Sequence, residues 1–153
     1  MLLLCSFSSP NTVNFNYCST CQKSLFDIGA TVTFSSDSWS GDDLFSTYIN
    51  PYFGMQVGHT RQYPKEWWET EDDGIRSPSN ERLSLEQLIE GYTRNGAYQL
   101  RMENEIGSIE VGKLADLVIL EKNLFEVDRY EIWKVKPSTV VMEGEVIQGS
   151  LPK

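Results

Sequence analysis

This chain of 153 residues has many carboxylates but few histidines and cysteines, the residues most common in zinc sites and hydrolytic triads. Asp37 stands out because it lies in the polar run SSDS, directly after residues 30–34, whose β-branched and aromatic side chains predict a short buried strand. A carboxylate at the end of a strand can contact a metal ion or accept a proton from water. The competing interpretation is a turn, since Asp is common in turns, and the spacing alone favours that interpretation.

Histidine and cysteine ligands are scarce in this chain. His59 is the one histidine, and the cysteines are Cys5, Cys18 and Cys21. A His-rich metal site, or a catalytic triad that omits His59, therefore cannot be built from this chain alone. We interpret His59 as a surface or capping residue. Cys18 and Cys21 lack a second Cys or His pair for a zinc knuckle, and three cysteines do not form a secreted disulfide framework.

Composition excludes several classes of protein. Asp and Glu outnumber Lys and Arg by 22 to 13, and the net charge of -9 argues against nucleic acid and anionic membranes as partners. No apolar run approaches the roughly 20 residues of a membrane helix. The start, residues 1–7, has an apolar run but no positive segment before it, so we expect a cytoplasmic protein rather than a signal peptide.

The middle of the chain predicts short helices and a polar loop. Residues 44–62 predict two short helices separated at Asn50-Pro51. Residues 63–81 are acidic and flanked by prolines, which indicates a solvated insertion or, alternatively, a lid that uses Trp67 and Trp68.

The rest of the sequence contains a helix-capping motif and then changes from helix-like to strand-like spacing of apolar residues. Ser84 and Gln87 match the capping-box pattern, and apolar residues then follow at helical spacing as far as Tyr92. Asn95-Gly96 predicts a break before another short helix. We predict strands over residues 106–111 and 114–120, and a hairpin over residues 140–147 that turns at Gly144.

These segments carry a family resemblance. Residues 107–120 read GSIEVGKLADLVIL and resemble a segment near the C-terminus of the amidohydrolase superfamily. Residues 84–97 resemble the helix pair that precedes that segment. Residues 25–37, which end in Ser36-Asp37, are similar to the last barrel strand of the amidohydrolase 3 subgroup. Order and spacing agree over roughly residues 22–149, and the GSIEVGKLADLVIL segment is the most specific part.

The resemblance implies an α/β fold, namely the C-terminal part of a (β/α)₈ metal-dependent hydrolase barrel plus a small β-sandwich-like module. Residues 1–24 would be an irregular N-terminal segment, residues 25–105 the last barrel strand and helices, and residues 106–153 the β module. It also implies hydrolysis of C–N bonds other than peptide bonds in a small-molecule substrate. The cofactor would be zinc or another divalent metal.

Site residues follow from the same resemblance. Asp37 matches the aspartate that contacts the metal and accepts a proton from metal-bound water, so it is the expected catalytic and metal residue. Arg61 resembles an arginine in the helix after the last strand and is a candidate substrate residue. Asp116 precedes a predicted strand, and we expect it to make a structural hydrogen bond.

The chain also departs from the family. The family's His-x-His motif, its bridging lysine or equivalent and its mid-barrel histidines have no counterpart here, and a complete barrel needs about 200 residues or more. We therefore expect a C-terminal fragment that binds no metal and is inactive alone, and that self-associates or pairs with a missing N-terminal half. Two alternatives remain, a non-catalytic binding or assembly module derived from that fold and an unstable relic.

Overall fold

The computed structural model describes residues 22–36, 47, 49–68 and 74–151 of the chain. Asp37, Cys18 and Cys21 lie outside these residues. The helices are α1 (Gln22–Asp27), α2 (Pro51–Thr60), α3 (Leu85–Tyr92) and α4 (Arg94–Leu100), with short 3₁₀ helices at Lys65–Trp67 and Ile132–Lys134. The strands are β1 (Leu117–Leu120), β2 (Pro137–Met142) and β3 (Glu145–Gly149).

The predicted helix starts at Asn50-Pro51 and Ser84 are confirmed. The Asn50 side chain accepts a hydrogen bond from the Tyr52 amide at 3.0 Å, and Pro51 occupies the first turn of α2, where a missing N–H costs nothing. At α3, the Gln87 amide donates to Ser84 Oγ and the Ser84 amide donates to Gln87 Oε1, which completes the capping box.

The predicted break at Asn95-Gly96 is wrong, because both residues lie inside α4. The interruption is at Thr93, whose backbone (φ −121°, ψ −88°) is not helical and whose hydroxyl donates to the Ile89 carbonyl at 2.7 Å. Thr93 closes α3 through its own side chain, so the chain turns before it reaches the Asn-Gly pair.

Three predicted strands also differ from the structure. Residues 106–111 form turns, since Gly107 has a φ of +91° and the Lys113 ammonium closes the loop on the Glu103 carbonyl at 2.6 Å. The following strand begins only at Leu117. Residues 30–34 are extended and partly buried, but the pairing there is limited to one isolated bridge at Val32.

The C-terminal sheet confirms the predicted hairpin. Its strands lie in the order β1-β2-β3 and all pair antiparallel. Glu143 (φ 51°) and Gly144 (φ 86°) both adopt left-handed backbone between β2 and β3, as a two-residue type I′ turn requires. The Glu143 amide donates to Asp116 Oδ1 at 2.7 Å, which gives Asp116 the structural hydrogen bond expected from the sequence.

Of the two clusters of buried side chains among the described residues, the larger connects the helices to the segment before β2. Leu88 and Ile132 are almost fully buried at its centre, and Leu120 of β1 packs against it. Its buried members are Met55, Leu83, Leu85, Leu88, Leu124, Ile132 and Val135. In the described part of the chain, no helix is long and apolar enough to cross a membrane.

The predicted polar loop contains more packing than its composition suggests. The Trp67 ring lies 5.2 Å from Phe53 and 6.5 Å from Trp133, measured between ring centroids. Trp68 donates its indole N–H to the Tyr63 carbonyl at 3.0 Å. Both tryptophans therefore contact this chain's own residues, and the lid interpretation stays a hypothesis.

Candidate functional site

Residues 30–36 form the extended segment that immediately precedes Asp37, the predicted catalytic residue. Val32 is fully buried and Thr33 is 7% exposed. Asp37 itself, one residue further along the sequence, lies outside the described residues, so its role stays a prediction. The structure does describe how the residues before it are held.

Three polar or close contacts hold this segment against α3 and α4. The Asn95 amide group donates to the Val32 carbonyl at 3.0 Å. The Thr33 hydroxyl donates to Gln99 Oε1 at 2.6 Å. The Phe34 ring covers the Cα of Gly91 so closely that an added Cβ would overlap it. Val32, Thr33 and Phe34 therefore each have a separate contact with one of the two helices.

Aromatic packing completes the environment of Phe34. Its ring centroid lies 5.3 Å from that of Tyr92 and 6.3 Å from that of Phe26, distances typical of favourable aromatic pairs. Burial raises the pKa of Tyr92 to about 12, because the phenolate form is poorly solvated there. The Tyr92 hydroxyl also lies directly over Gly54 of α2, so these two helices meet where a side chain is absent.

Arg61, the candidate substrate residue, is buried at the end of α2. Its guanidinium group donates hydrogen bonds to two backbone carbonyls: Nη2 lies 2.9 Å from the Ser77 oxygen and Nε lies 3.4 Å from the Arg76 oxygen. The Arg76 amide in turn donates to the Arg61 carbonyl at 2.8 Å. These contacts secure the chain after the acidic loop, and a substrate contact of Arg61 stays a prediction.

His59 is the penultimate residue of α2 and is half-buried, so the surface or capping role expected from the sequence stays a prediction. Its Nδ1 lies 2.8 Å from the Leu83 carbonyl oxygen, so Nδ1 carries the hydrogen and donates it. No group of three or more His, Cys, Asp or Glu side chains is close enough to bind a metal ion within the residues that the structure describes.

Sequence reasoning missed Glu81, which is 3% exposed. Its carboxylate accepts hydrogen bonds from the Ser24 amide, at 3.0 Å, and from the Ser24 hydroxyl. These bonds favour the charged form and lower the pKa of Glu81. Glu81 thereby satisfies a first-turn amide of α1 from 57 residues away, and no local sequence pattern predicts such a contact.

Gln56 was missed for the same reason. It is fully buried in α2, and its Oε1 accepts from the Trp133 amide at 3.1 Å. Among the described residues, its Nε2 and the Trp133 indole nitrogen are buried without a hydrogen-bond partner. The pair joins α2 to the 3₁₀ helix at Ile132–Lys134, and no periodic pattern of residues predicts this contact.

A polar groove of about 810 Å³ lies between α4 and residues 103–113. Charges of both signs line it, from Glu90, Arg94, Glu103 and Lys113. Lys113 is already engaged by the Ser108 hydroxyl at 2.5 Å and the Glu110 carboxylate at 3.4 Å. Glu103 Oε2 in this groove is instead buried with no hydrogen-bond partner among the described residues.

This chain is similar to a known protein family and to a known enzyme. A profile described as "Amidohydrolase family" matches residues 19–148. An imidazolonepropionase of Bdellovibrio bacteriovorus is 31% identical over 78 residues, which is 51% of this chain and 18% of the relative. The chain therefore spans about a fifth of the length of this curated relative.

Proposed function

We propose, on the premise that this chain belongs to the amidohydrolase family, that it forms the C-terminal part of a metal-dependent hydrolase of C–N bonds other than peptide bonds. The observation that carries the proposal is the family match over residues 19–148, which includes both the segment before Asp37 and the GSIEVGKLADLVIL segment. The family implies a TIM-barrel-related fold, and in our proposal residues 25–105 supply its last strand and helices.

Asp37 is the proposed general base. A water molecule attacks the carbonyl carbon of an amide-like substrate while Asp37 accepts its proton. The C–N bond then breaks, and Asp37 returns the proton to the leaving nitrogen. This assignment rests on the resemblance and on the position of Asp37 directly after an extended segment whose backbone and side chains are held by α3 and α4.

In our proposal, this chain alone does not complete the metal site of the enzyme. A catalytic zinc ion usually takes three protein ligands, whereas Asp37 is one carboxylate and no group of three candidate ligands occurs among the described residues. A divalent ion, when bound, lowers the pKa of water to about 7. We propose that the remaining ligands belong to a restored upstream part, that the substrate is a small molecule, and that the complete enzyme acts in the cytoplasm.

A second candidate is a non-catalytic assembly module. It is favoured by exposed apolar side chains, since Ile109 is 88% exposed and every residue of β3 is exposed. Surfaces of this kind indicate a contact with another polypeptide. Such a contact is expected in both proposals, so only activity distinguishes them.

The test restores the sequence upstream of this chain in the genome, either as one polypeptide or as a separate chain. Zinc and a panel of cyclic and linear amides are then supplied to the restored protein and to the 153-residue chain. We expect hydrolysis by the restored protein and none by the chain alone. If the upstream part, supplied as a separate chain, binds this chain tightly but the complex hydrolyses nothing, that result would support the assembly module and contradict the enzyme.

A further inference from the structure

We infer that Gly91, Asn95 and Gln99 are positioning residues that set the register of residues 32–34 and so determine where the chain delivers Asp37. These three residues are called the positioning stripe below. The consequence for catalysis rests on the proposed function, whereas the consequence for the backbone does not.

The stripe spans two helices. Asn95 and Gln99 lie four residues apart on one face of α4, and Gly91 lies in α3, before the break at Thr93. Together they contact three consecutive residues of the extended segment. Gly91 receives the Phe34 ring, Asn95 donates to the Val32 carbonyl at 3.0 Å, and Gln99 accepts from Thr33 at 2.6 Å.

Each contact restrains one residue of the segment through a side chain or a glycine of α3 or α4. Apart from one bridge at Val32, the described residues show no strand pairing for this segment. A buried carbonyl needs a donor, and Asn95, which is 9% exposed, provides it from a side chain. Gly91 matters because a Cβ there would lie 3.3 Å from the same Val32 oxygen as well as overlap Phe34.

These contacts specify position more than they specify burial. A slip of the segment by one residue would turn Val32 away from the core and would separate both hydrogen bonds from their partners. The stripe therefore selects one register, and a catalytic group displaced by about 1 Å loses up to 10²-fold in rate.

The first experiment uses the chain as it is and asks whether the stripe holds the segment. Asn95→Asp keeps the shape, removes the donor and places a carboxylate against the Val32 carbonyl. Amide hydrogen exchange of residues 33–36 should accelerate by at least about 10-fold, because the local opening of this segment becomes easier. Asn104→Asp, at an exposed residue, adds the same charge and is the control. Equal exchange in the two variants overturns the inference.

The second experiment uses the restored enzyme and separates positioning from general loss of stability. Asn95→Asp should lower kcat by about 10- to 100-fold and change KM by less than about 3-fold, since only the reacting group is displaced. Thr33→Val, which removes the hydroxyl and keeps the size of the side chain, should also lower kcat. Unchanged kcat in both variants, measured below their melting temperatures, overturns the inference.

The two experiments fail independently. If the restored wild-type protein hydrolyses nothing, the proposed function fails, and the exchange result alone decides whether the stripe fixes residues 32–34. If the wild-type protein is active but exchange and kcat are both unaffected by Asn95→Asp, the positioning inference fails and the proposed function stands.

Discussion

The helical part of this protein and its C-terminal sheet are built differently. Val32, Phe53 and Leu88 are at most 1% exposed in the helical part, and long-range side-chain hydrogen bonds join its segments. In the sheet, Thr139 and Val141 of β2 are buried, whereas all of β3 is exposed. Segments of the helical part are therefore held by contacts on several sides. By contrast, other residues cover only part of the sheet.

The difference separates a strongly restrained region from a weakly restrained one. The segment before Asp37 lies in the strongly restrained region, and under the proposed function a shift of about 1 Å there would lower the rate. The sheet presents an exposed edge strand with Val146 and Ile147, 40% and 61% exposed, and exposed edges pair readily with other chains. We expect the first region to respond strongly to substitution and the second weakly.

The largest expected effect is from Leu88→Ala. Leu88 is 1% exposed in the main core cluster, so its truncation should lower the free energy of unfolding by about 2–5 kcal/mol. Ile147→Ala, at an exposed position of β3, is the matched control and should change it by less than about 0.5 kcal/mol. Urea unfolding of both variants measures the contrast. Similar losses for the two would remove the distinction between the regions.

Gly54→Ala should have the next largest effect. Its new methyl group would overlap the Tyr92 hydroxyl, and crowding of this kind costs about 1–3 kcal/mol. Gly74→Ala places a methyl group where no atom lies within 4 Å and serves as the control. A Gly54→Ala protein as stable as wild type would mean that α2 and α3 do not meet as closely as described.

Glu81→Gln should be milder and should depend on pH. Because the folded-state pKa of Glu81 is lowered, its ionised form stabilises the fold above the ordinary Glu pKa, and that contribution disappears as pH falls through the lowered value. The variant should lose stability near pH 7 and should lose less than wild type on acidification. Thermal unfolding between pH 7 and pH 3 checks this. Glu121→Gln, at an exposed residue, is the control; a parallel pH profile for it and Glu81→Gln would contradict the assignment.

The smallest expected effect belongs to the sheet. Asp116→Ala removes the acceptor for the Glu143 amide in the β2–β3 turn, an exposed hydrogen bond worth about 0.5–1.5 kcal/mol. Glu145→Ala on the same hairpin is the control. A loss for Asp116→Ala comparable to that for Leu88→Ala would show that the turn, rather than the helical core, determines stability.

Local signals predicted the parts of the fold that depend on neighbouring residues. Ser84 with Gln87, Asn50 with Pro51 and the turn at Gly144 each satisfy backbone geometry within a few residues, so the sequence was sufficient to locate them. The strand predicted at residues 106–111 failed because Gly107 and the Lys113 contact override an apolar pattern.

Contacts between distant residues were not predictable in the same way. Glu81 with Ser24, Gln56 with Trp133 and Asn95 with Val32 are polar pairs that leave no periodicity in the sequence. Of the candidate site, the resemblance supplied Asp37 and Arg61, and the structure added the residues that hold the approach to Asp37. Arg61 has backbone partners that its sequence position did not indicate.

Asp37→Asn in the restored protein tests the central claim most directly. Asn keeps the size and an oxygen ligand but cannot accept a proton, so kcat for amide hydrolysis should fall by about 10²–10⁴-fold. Bound zinc, measured after dialysis, should fall much less, because the other ligands would come from the restored part. Near-full turnover by Asp37→Asn would contradict the account and would leave Asp37 as a turn residue.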